Sequence, residues 1–134
     1  MNAETDLARM LATLDSSREP GVFVFVSVPD YAAASSLPAR AIVCEREAVT
    51  VVLRREDAIE RGLFFDFEAA WLTLRVHSAL GAVGLTAAVS RALADAGIPC
   101  NVLAGAMHDH LLVAEEDVDR AVEAIAALRG VACT

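Results

Sequence analysis

The segment from residue 71 to residue 105 constrains the fold more than any other part of this 134-residue chain. After Trp71, apolar and polar side chains alternate from Leu72 to His77, which is typical of a half-buried strand. Five apolar residues between Leu85 and Ala96 then share one helical face, and Gly97 stands where such a helix ends. A second apolar run follows Gly97. The segment therefore predicts a strand, a loop, a helix and a second strand, in that order.

The residues that follow extend this unit to a complete α+β plan. His110–Val113 predicts a third strand, and an apolar stripe from Val118 to Leu128 predicts a second helix that ends at Gly130. A last edge strand is expected over Val131–Cys133. Because each helix carries a single apolar stripe, we expect both helices to cover one face of an antiparallel sheet. Right-handed crossovers then give a ferredoxin-like βαββαβ arrangement over residues 67–134.

Residues 1–66 predict a reduced version of the same plan. A short amphipathic helix is expected near Leu7–Leu14, and a continuous β-branched and aromatic strand is expected from Gly21 to Val28. Two further strands before residue 54 have the spacing of a hairpin. We therefore expect two tandem halves with antiparallel sheets, an N-terminal half over 1–66 and a C-terminal half over 67–134.

Composition excludes several classes of function. The formal net charge is −8 at pH 7, whereas nucleic-acid binding needs a basic surface. The sequence contains no lysine, which excludes Schiff-base and Walker-type lysine mechanisms. No segment suggests a signal peptide or a membrane span, and three widely spaced cysteines are typical of reduced thiols. We therefore expect a cytoplasmic protein that binds neither nucleic acid nor membrane.

Several runs of the sequence together resemble a small family of bacterial proteins built from ACT domains. AVGLTAAVSRALADAGIPCNVLAGAMHDHLLV is similar to the second ACT half of that family, and GVFVFVSVP with ARAIVCEREAVTVVLRRE is similar to the first. ACT domains are ferredoxin-like modules that typically bind amino acids and regulate enzymes or transporters. The resemblance implies a regulatory protein that binds an amino acid. The sequence shows no nucleophilic triad and no acidic pair with a reason for separated pKa values, so we expect no catalytic activity and no cofactor. The resemblance also implies paired sheets within the chain, and a homodimer as a further level of assembly.

The loop after the first strand of the C-terminal half is the main candidate ligand site. It contains Ser78-Ala79-Leu80-Gly81 and continues through Val83 and Gly84 into the predicted helix. Glycine allows close approach of a ligand to the backbone, and the first N–H groups of a helix lack intrahelical partners. These groups and the positive end of the helix dipole suit a small carboxylate. We therefore predict that this loop binds the carboxylate of an amino acid.

Residues on the neighbouring strands are further candidates. Asn101 is predicted to point away from the apolar face of its strand, and its amide can both donate and accept hydrogen bonds. His108 and Asp109 precede the next strand and are candidate contacts of the same ligand. Trp71, on the polar side of its strand, either packs within the protein or marks an interface.

Two other functions remain open on the sequence alone. The family commonly carries Ser-Ser-Leu-Glu where this chain has Ser78-Ala79-Leu80-Gly81, and this departure favours a ligand-free protein–protein assembly module. A metal-dependent enzyme is the other alternative, because His108 and His110 fall on one face of a strand. Such a metal site needs a third ligand, for which Cys100 or His77 would have to converge with the two histidines.

Overall fold

The computed structural model describes residues 6–76 and 82–131, which belong to two compact units. The central unit is Pro20–Ala70, and the flanking unit is the described part of Met1–Glu19 and Trp71–Thr134. No helix in the described part of the chain is long and apolar enough to span a membrane. In chain order the elements are α1 (Leu7–Thr13), β1 (Ser16–Val28), α2 (Tyr31–Ser35), β2 (Ala41–Cys44), β3 (Val49–Arg54), α3 (Arg55–Glu60), β4 (Glu68–Leu74), α4 (Leu85–Asp95), β5 (Asn101–Ala104), β6 (Asp109–Ala114), a 3-10 turn (Glu115–Asp117) and α5 (Val118–Val131).

The central unit contains antiparallel strands in the order β2-β3-β1. β1 pairs with β3 along Phe23–Val28, and β2 pairs with β3 along Ala41–Cys44. Every second residue of a strand points to the same face, so the valines of β1 meet those of β3 on one side of the sheet. Helices α2 and α3 cover this side. The buried core residues are Val24, Val26, Val28, Ala34, Val49, Val51, Leu53 and Ala58.

The flanking unit has the strand order β4-β6-β5, in which β5 is the edge strand. β5 pairs antiparallel with β6, from Asn101 opposite Leu112 to Ala104 opposite Asp109. Helices α4 and α5 pack on each other, and α1 packs on both. Buried side chains recur every four residues along α4, which places them on one face of the helix. These side chains are Leu85, Val89 and Leu93.

The predicted ferredoxin-like α+β fold class is confirmed, because each unit combines antiparallel strands with helices that cover them. Helix α1 forms where its apolar spacing predicts it, and Asp6 caps it by accepting a hydrogen bond from Arg9 N at 3.2 Å. Since α1 packs on α4 and α5, residues 1–19 group with the C-terminal part of the chain. The division into domains between residues 66 and 67 stays a prediction.

Two details of the C-terminal half differ from prediction. β5 begins at Asn101, and Ile98, expected within this strand, is buried in the connection that follows α4. Helix α5 continues through Gly130 to Val131, since one glycine costs a helix only about 1 kcal/mol. The strand expected over Val131–Cys133 is therefore wrong at Val131, and residues 132 and 133 lie outside the described residues.

Candidate ligand-binding site

The start of α4 is the described part of the predicted ligand loop. Ser78, Ala79, Leu80 and Gly81 lie outside the described residues, as does His77. Gly84 occupies the N-cap position of α4 with φ of +107°, a backbone conformation that favours glycine. The space beside Gly84 also requires glycine, because an added Cβ would lie 2.8 Å from Leu7 Cδ2 of α1.

No side chain of the described residues caps α4. The first backbone hydrogen bond inside the helix joins Ala88 N to Gly84 O at 2.9 Å, so the N–H groups of Leu85, Thr86 and Ala87 precede the intrahelical ladder. Leu7, the side chain packed beside Gly84, is apolar and cannot accept hydrogen bonds from these groups. Within the described residues, the start of α4 therefore has no side-chain cap, and its first N–H groups and the positive end of its dipole suit an anion.

His108 lies close to Val76, the last described residue before the predicted ligand loop. It belongs to the turn between β5 and β6, which is closed by a 2.9 Å hydrogen bond from Gly105 N to His108 O. Its Nδ1 lies 3.4 Å from Val76 O, just before the loop begins. Asp109 is the first residue of β6 and is half-buried. The structure therefore brings His108 and Asp109 to the side of the sheet from which the loop departs.

Asn101 lies at the other end of the same strands. It is three register positions from the Ala104–Asp109 pair, or about 10 Å along the strand. The 11-residue helix α4, about 16 Å long, also separates its own first turn from the connection that leads to Asn101. Asn101 Nδ2 donates to Leu112 O at 3.2 Å, across the strand pair. Within one chain, Asn101 is therefore apart from Gly84 and His108.

A cluster around His110 was not predicted from the sequence. Trp71 Nε1 donates to His110 Nδ1 at 3.3 Å, and Thr73 Oγ1 lies 3.0 Å from the same nitrogen. The Trp71 and His110 ring centroids are 5.4 Å apart. Trp71 is only 5% exposed, which supports packing within the protein over an exposed interface. The sequence could have shown that Trp71 and Thr73 share one face of their strand. It could not show that β6, which carries His110, lies beside β4.

The described residues also bear on the metal-site alternative. They contain no group of three side chains arranged to hold a metal ion. His110 Nδ1 is engaged by β4, and His108 Nδ1 faces a backbone carbonyl. Burial raises the pKa of the Cys100 thiol, and a hydrogen bond with Ser90 opposes this in part. Cys100 is therefore protonated at neutral pH and is a poor nucleophile or metal ligand.

Comparison with known proteins gives a consistent result. One ACT-domain family model matches residues 2–70, and a second ACT-domain model matches residues 66–127. A protein of unknown function from Vibrio cholerae, described as a possible transport protein, is 36% identical with a TM-score of 0.84. The alignment covers 92% of this chain and 95% of that chain. No curated protein matches the sequence.

More distant solved structures share the fold. The regulatory subunit of aspartate kinase from Thermus thermophilus has a TM-score of 0.62 at 11% identity, with 84% of this chain and 95% of that chain covered. Aspartate kinase from Clostridium acetobutylicum has a TM-score of 0.65 at 11% identity, with 86% of this chain and 34% of the kinase covered. The two consecutive family matches and the Vibrio structure place this chain in the ACT domain family, as a tandem of two ACT domains.

Proposed function

We propose that this chain is a regulatory ACT-domain protein that binds a free amino acid and has no catalytic activity of its own. Membership of the ACT family supports a regulatory module. The observation that carries the proposal is the start of α4 at Gly84, which no side chain of the described residues caps. A free amino acid always supplies a carboxylate, and the first turn of this helix supplies donors for it.

In the proposed complex, the ligand carboxylate accepts hydrogen bonds from the N–H groups of Leu85, Thr86 and Ala87. From the sequence alone, we also include Ser78, Ala79, Leu80 and Gly81 in the proposed site, because glycine allows close approach of a ligand to the backbone. His108 and Asp109 border the site from the turn that precedes β6. Val83, which is 83% exposed, contacts the ligand side chain.

Asn101 joins this site only from a second copy of the chain. Among the described strands, its place on the edge strand β5 leaves one side of that strand open to pairing, and the length of α4 separates it from Gly84 within one protomer. We therefore include a homodimer in the proposal, with Asn101 of one protomer facing the ligand held by the other. Ligand binding then shifts the equilibrium between monomer and homodimer towards the dimer. The size of this shift depends on how much more tightly the dimer binds the ligand than the monomer does.

A thermal-unfolding screen against the twenty amino acids tests this function. A ligand at 100 times its Kd adds about 2.7 kcal/mol of stability, which raises Tm by several degrees. Thr86→Pro removes one donor of the first turn, whereas Thr86→Ala keeps that N–H and serves as the matched control. We expect Thr86→Pro to reduce the Tm rise and Thr86→Ala to retain it, each measured against its own ligand-free Tm.

The alternatives give different results in the same screen. A ligand-free assembly module would show no Tm rise with any amino acid, and its Tm would depend on protein concentration alone. A Tm rise that is equal in Thr86→Pro and Thr86→Ala would show that an amino acid binds elsewhere. Either result would contradict the proposed site.

A further inference from the structure

The hydrogen bonds around His110 define its protonation state. The indole N–H of Trp71 is a donor only, so His110 Nδ1, which faces it at 3.3 Å, must be the acceptor. Nδ1 therefore carries no proton, and the neutral imidazole has its proton on Nε2. The hydroxyl of Thr73, 3.0 Å from Nδ1, can donate to the neutral ring or accept from a protonated one.

Protonation changes the partners of this ring. A proton on Nδ1 can be donated to Thr73 Oγ1, but it would face the N–H of Trp71 head to head. The protonated ring therefore keeps Thr73 and gives up Trp71. We propose that His110 is a proton-operated switch, in which the neutral ring binds Trp71 and the protonated ring donates to Thr73 and releases Trp71. This inference goes beyond amino-acid binding and does not depend on it.

The turn between β5 and β6 lies against the opposite edge of the imidazole. A Cβ added to Gly105 would lie 3.2 Å from His110 Nε2 and 2.9 Å from His108 O, so Gly105 lies beside the Nε2 edge of the ring with little free space between them. The same turn carries His108, whose Nδ1 lies 3.4 Å from Val76 O. A ring that moves away from Trp71 therefore displaces this turn.

Among the described residues, the titratable and charged groups nearest His110 on β4, on β6 and in the adjoining turn are Arg75, His108 and Asp109. Arg75 lies just beyond β4, on the side shared by Trp71 and Thr73 according to strand alternation, and His108 lies in the adjoining turn. Asp109 precedes His110 and falls on the opposite face of β6. The β5 residue paired with His110 is Leu103, which carries no charge. The experiment must therefore distinguish protonation of His110 from protonation of the other histidines.

Tryptophan fluorescence tests the switch, because Trp71 is the only tryptophan in the sequence. Between pH 8 and pH 4.5 we expect Trp71 emission to change in a single transition as His110 gains its proton. His110→Asn provides the matched control, since its side-chain oxygen retains an acceptor near the Nδ1 position but cannot be protonated in this range. In this variant the emission should stay at its pH 8 value, with far-UV circular dichroism verifying that the fold persists.

Two further variants and two NMR measurements complete the test. His108→Asn and His77→Asn should both keep the transition. At pH 8, nitrogen-15 spectra should identify Nδ1 as the unprotonated nitrogen of His110. At pH 5, amide exchange of Gly105 should be faster in the wild type than in His110→Asn. The switch would be overturned if the fluorescence transition survived in His110→Asn or if the wild-type emission did not change with pH. It would also be overturned by a protonated Nδ1 at pH 8, or by equal Gly105 exchange in the two proteins.

Discussion

The two units each place a helix after their first strand, but the two helices begin differently. In the central unit, α2 starts at Asp30, whose Oδ1 accepts a hydrogen bond from Ala33 N at 2.9 Å. In the flanking unit, α4 starts at Gly84 and no described side chain caps it. In α2 a carboxylate of the chain therefore occupies the position that a ligand carboxylate would take in α4. Among the described residues, the two helix starts thus differ in whether a side chain caps them.

The lengths of the two helices reinforce this difference. Helix α2 has five residues and α4 has eleven, so only α4 is long enough to sum a substantial dipole at its first turn. The central unit thus keeps the fold of an ACT domain, while a side chain of the chain itself caps the start of its first helix, α2. The predictions below are ordered from the largest expected effect to the smallest, and each addresses one side of this comparison.

We expect the cores of the two units to be equally well packed. The units would then differ in the capping of their helices and not in their cores. Leu53 of the central unit and Leu93 of the flanking unit are both fully buried. We expect Leu53→Ala and Leu93→Ala each to lower the free energy of unfolding by about 2–5 kcal/mol in urea titrations. Ile59→Ala, at a side chain that is 61% exposed, should cost less than about 0.5 kcal/mol. A small effect at either leucine would show a loosely packed unit.

Gly84 is expected to be more sensitive to substitution than a glycine of similar conformation. Gly84 and Gly97 both have positive φ, so Gly84→Ala and Gly97→Ala should each cost about 1–2 kcal/mol of backbone strain. Only the Cβ at residue 84 meets another side chain, Leu7. Gly84→Ala should therefore cost more, and adding Leu7→Ala should reduce the excess in a double-mutant cycle. Equal losses at both glycines would show that Leu7 does not pack against Gly84.

The cap of α2 should contribute measurable stability. Asp30→Ala removes the acceptor of the Ala33 N–H and should lower the free energy of unfolding by about 1 kcal/mol. Asp30→Asn keeps an oxygen acceptor and is the matched control, with a loss of a few tenths of a kcal/mol. Equal losses in the two variants would mean that the charge, rather than the hydrogen bond, stabilises the start of α2.

Cys100 should make stability depend on alkaline pH. Because burial raises the pKa of this thiol, the folded chain holds the proton more tightly than the unfolded chain. The resulting stabilisation is complete below the ordinary thiol pKa and is lost as the pH rises through the raised pKa. Between pH 7.5 and pH 10, the wild type should therefore lose more stability in urea titrations than Cys100→Ala. Cys44→Ala, at an exposed thiol, should follow the wild type, and parallel losses in all three proteins would contradict the prediction.

Sequence patterns predicted the elements of the flanking unit well, since local spacing determines them. Both β4 and α4 are present, and the four-residue spacing in α4 marks its buried face. The half-buried strand expected at β4 is wrong in its burial before Thr73, because every residue from Ala69 to Leu72 is buried. The end of α5 was predicted less well, because packing of the helix outweighs the low helix propensity of Gly130.

The arrangement of the site was harder to predict than its elements. The sequence places Asn101 shortly after α4 but does not show that the helix carries it away from Gly84. The bonds from Trp71 and Thr73 to His110 join residues more than thirty positions apart, and they depend on which strands become neighbours. Long-range pairing of this kind has no local signal in a single sequence.

The central claim is that the first turn of α4 is an open anion site, whereas the first turn of α2 is closed. Amide nitrogen-15 NMR during titration with each of the twenty amino acids tests it most directly. We expect at least one amino acid to cause saturable changes in the amide chemical shifts of Leu85, Thr86 and Ala87. The amide shift of Ala33 should stay unchanged. Saturable binding that leaves these three amides unmoved, or no response to any amino acid, would contradict the claim.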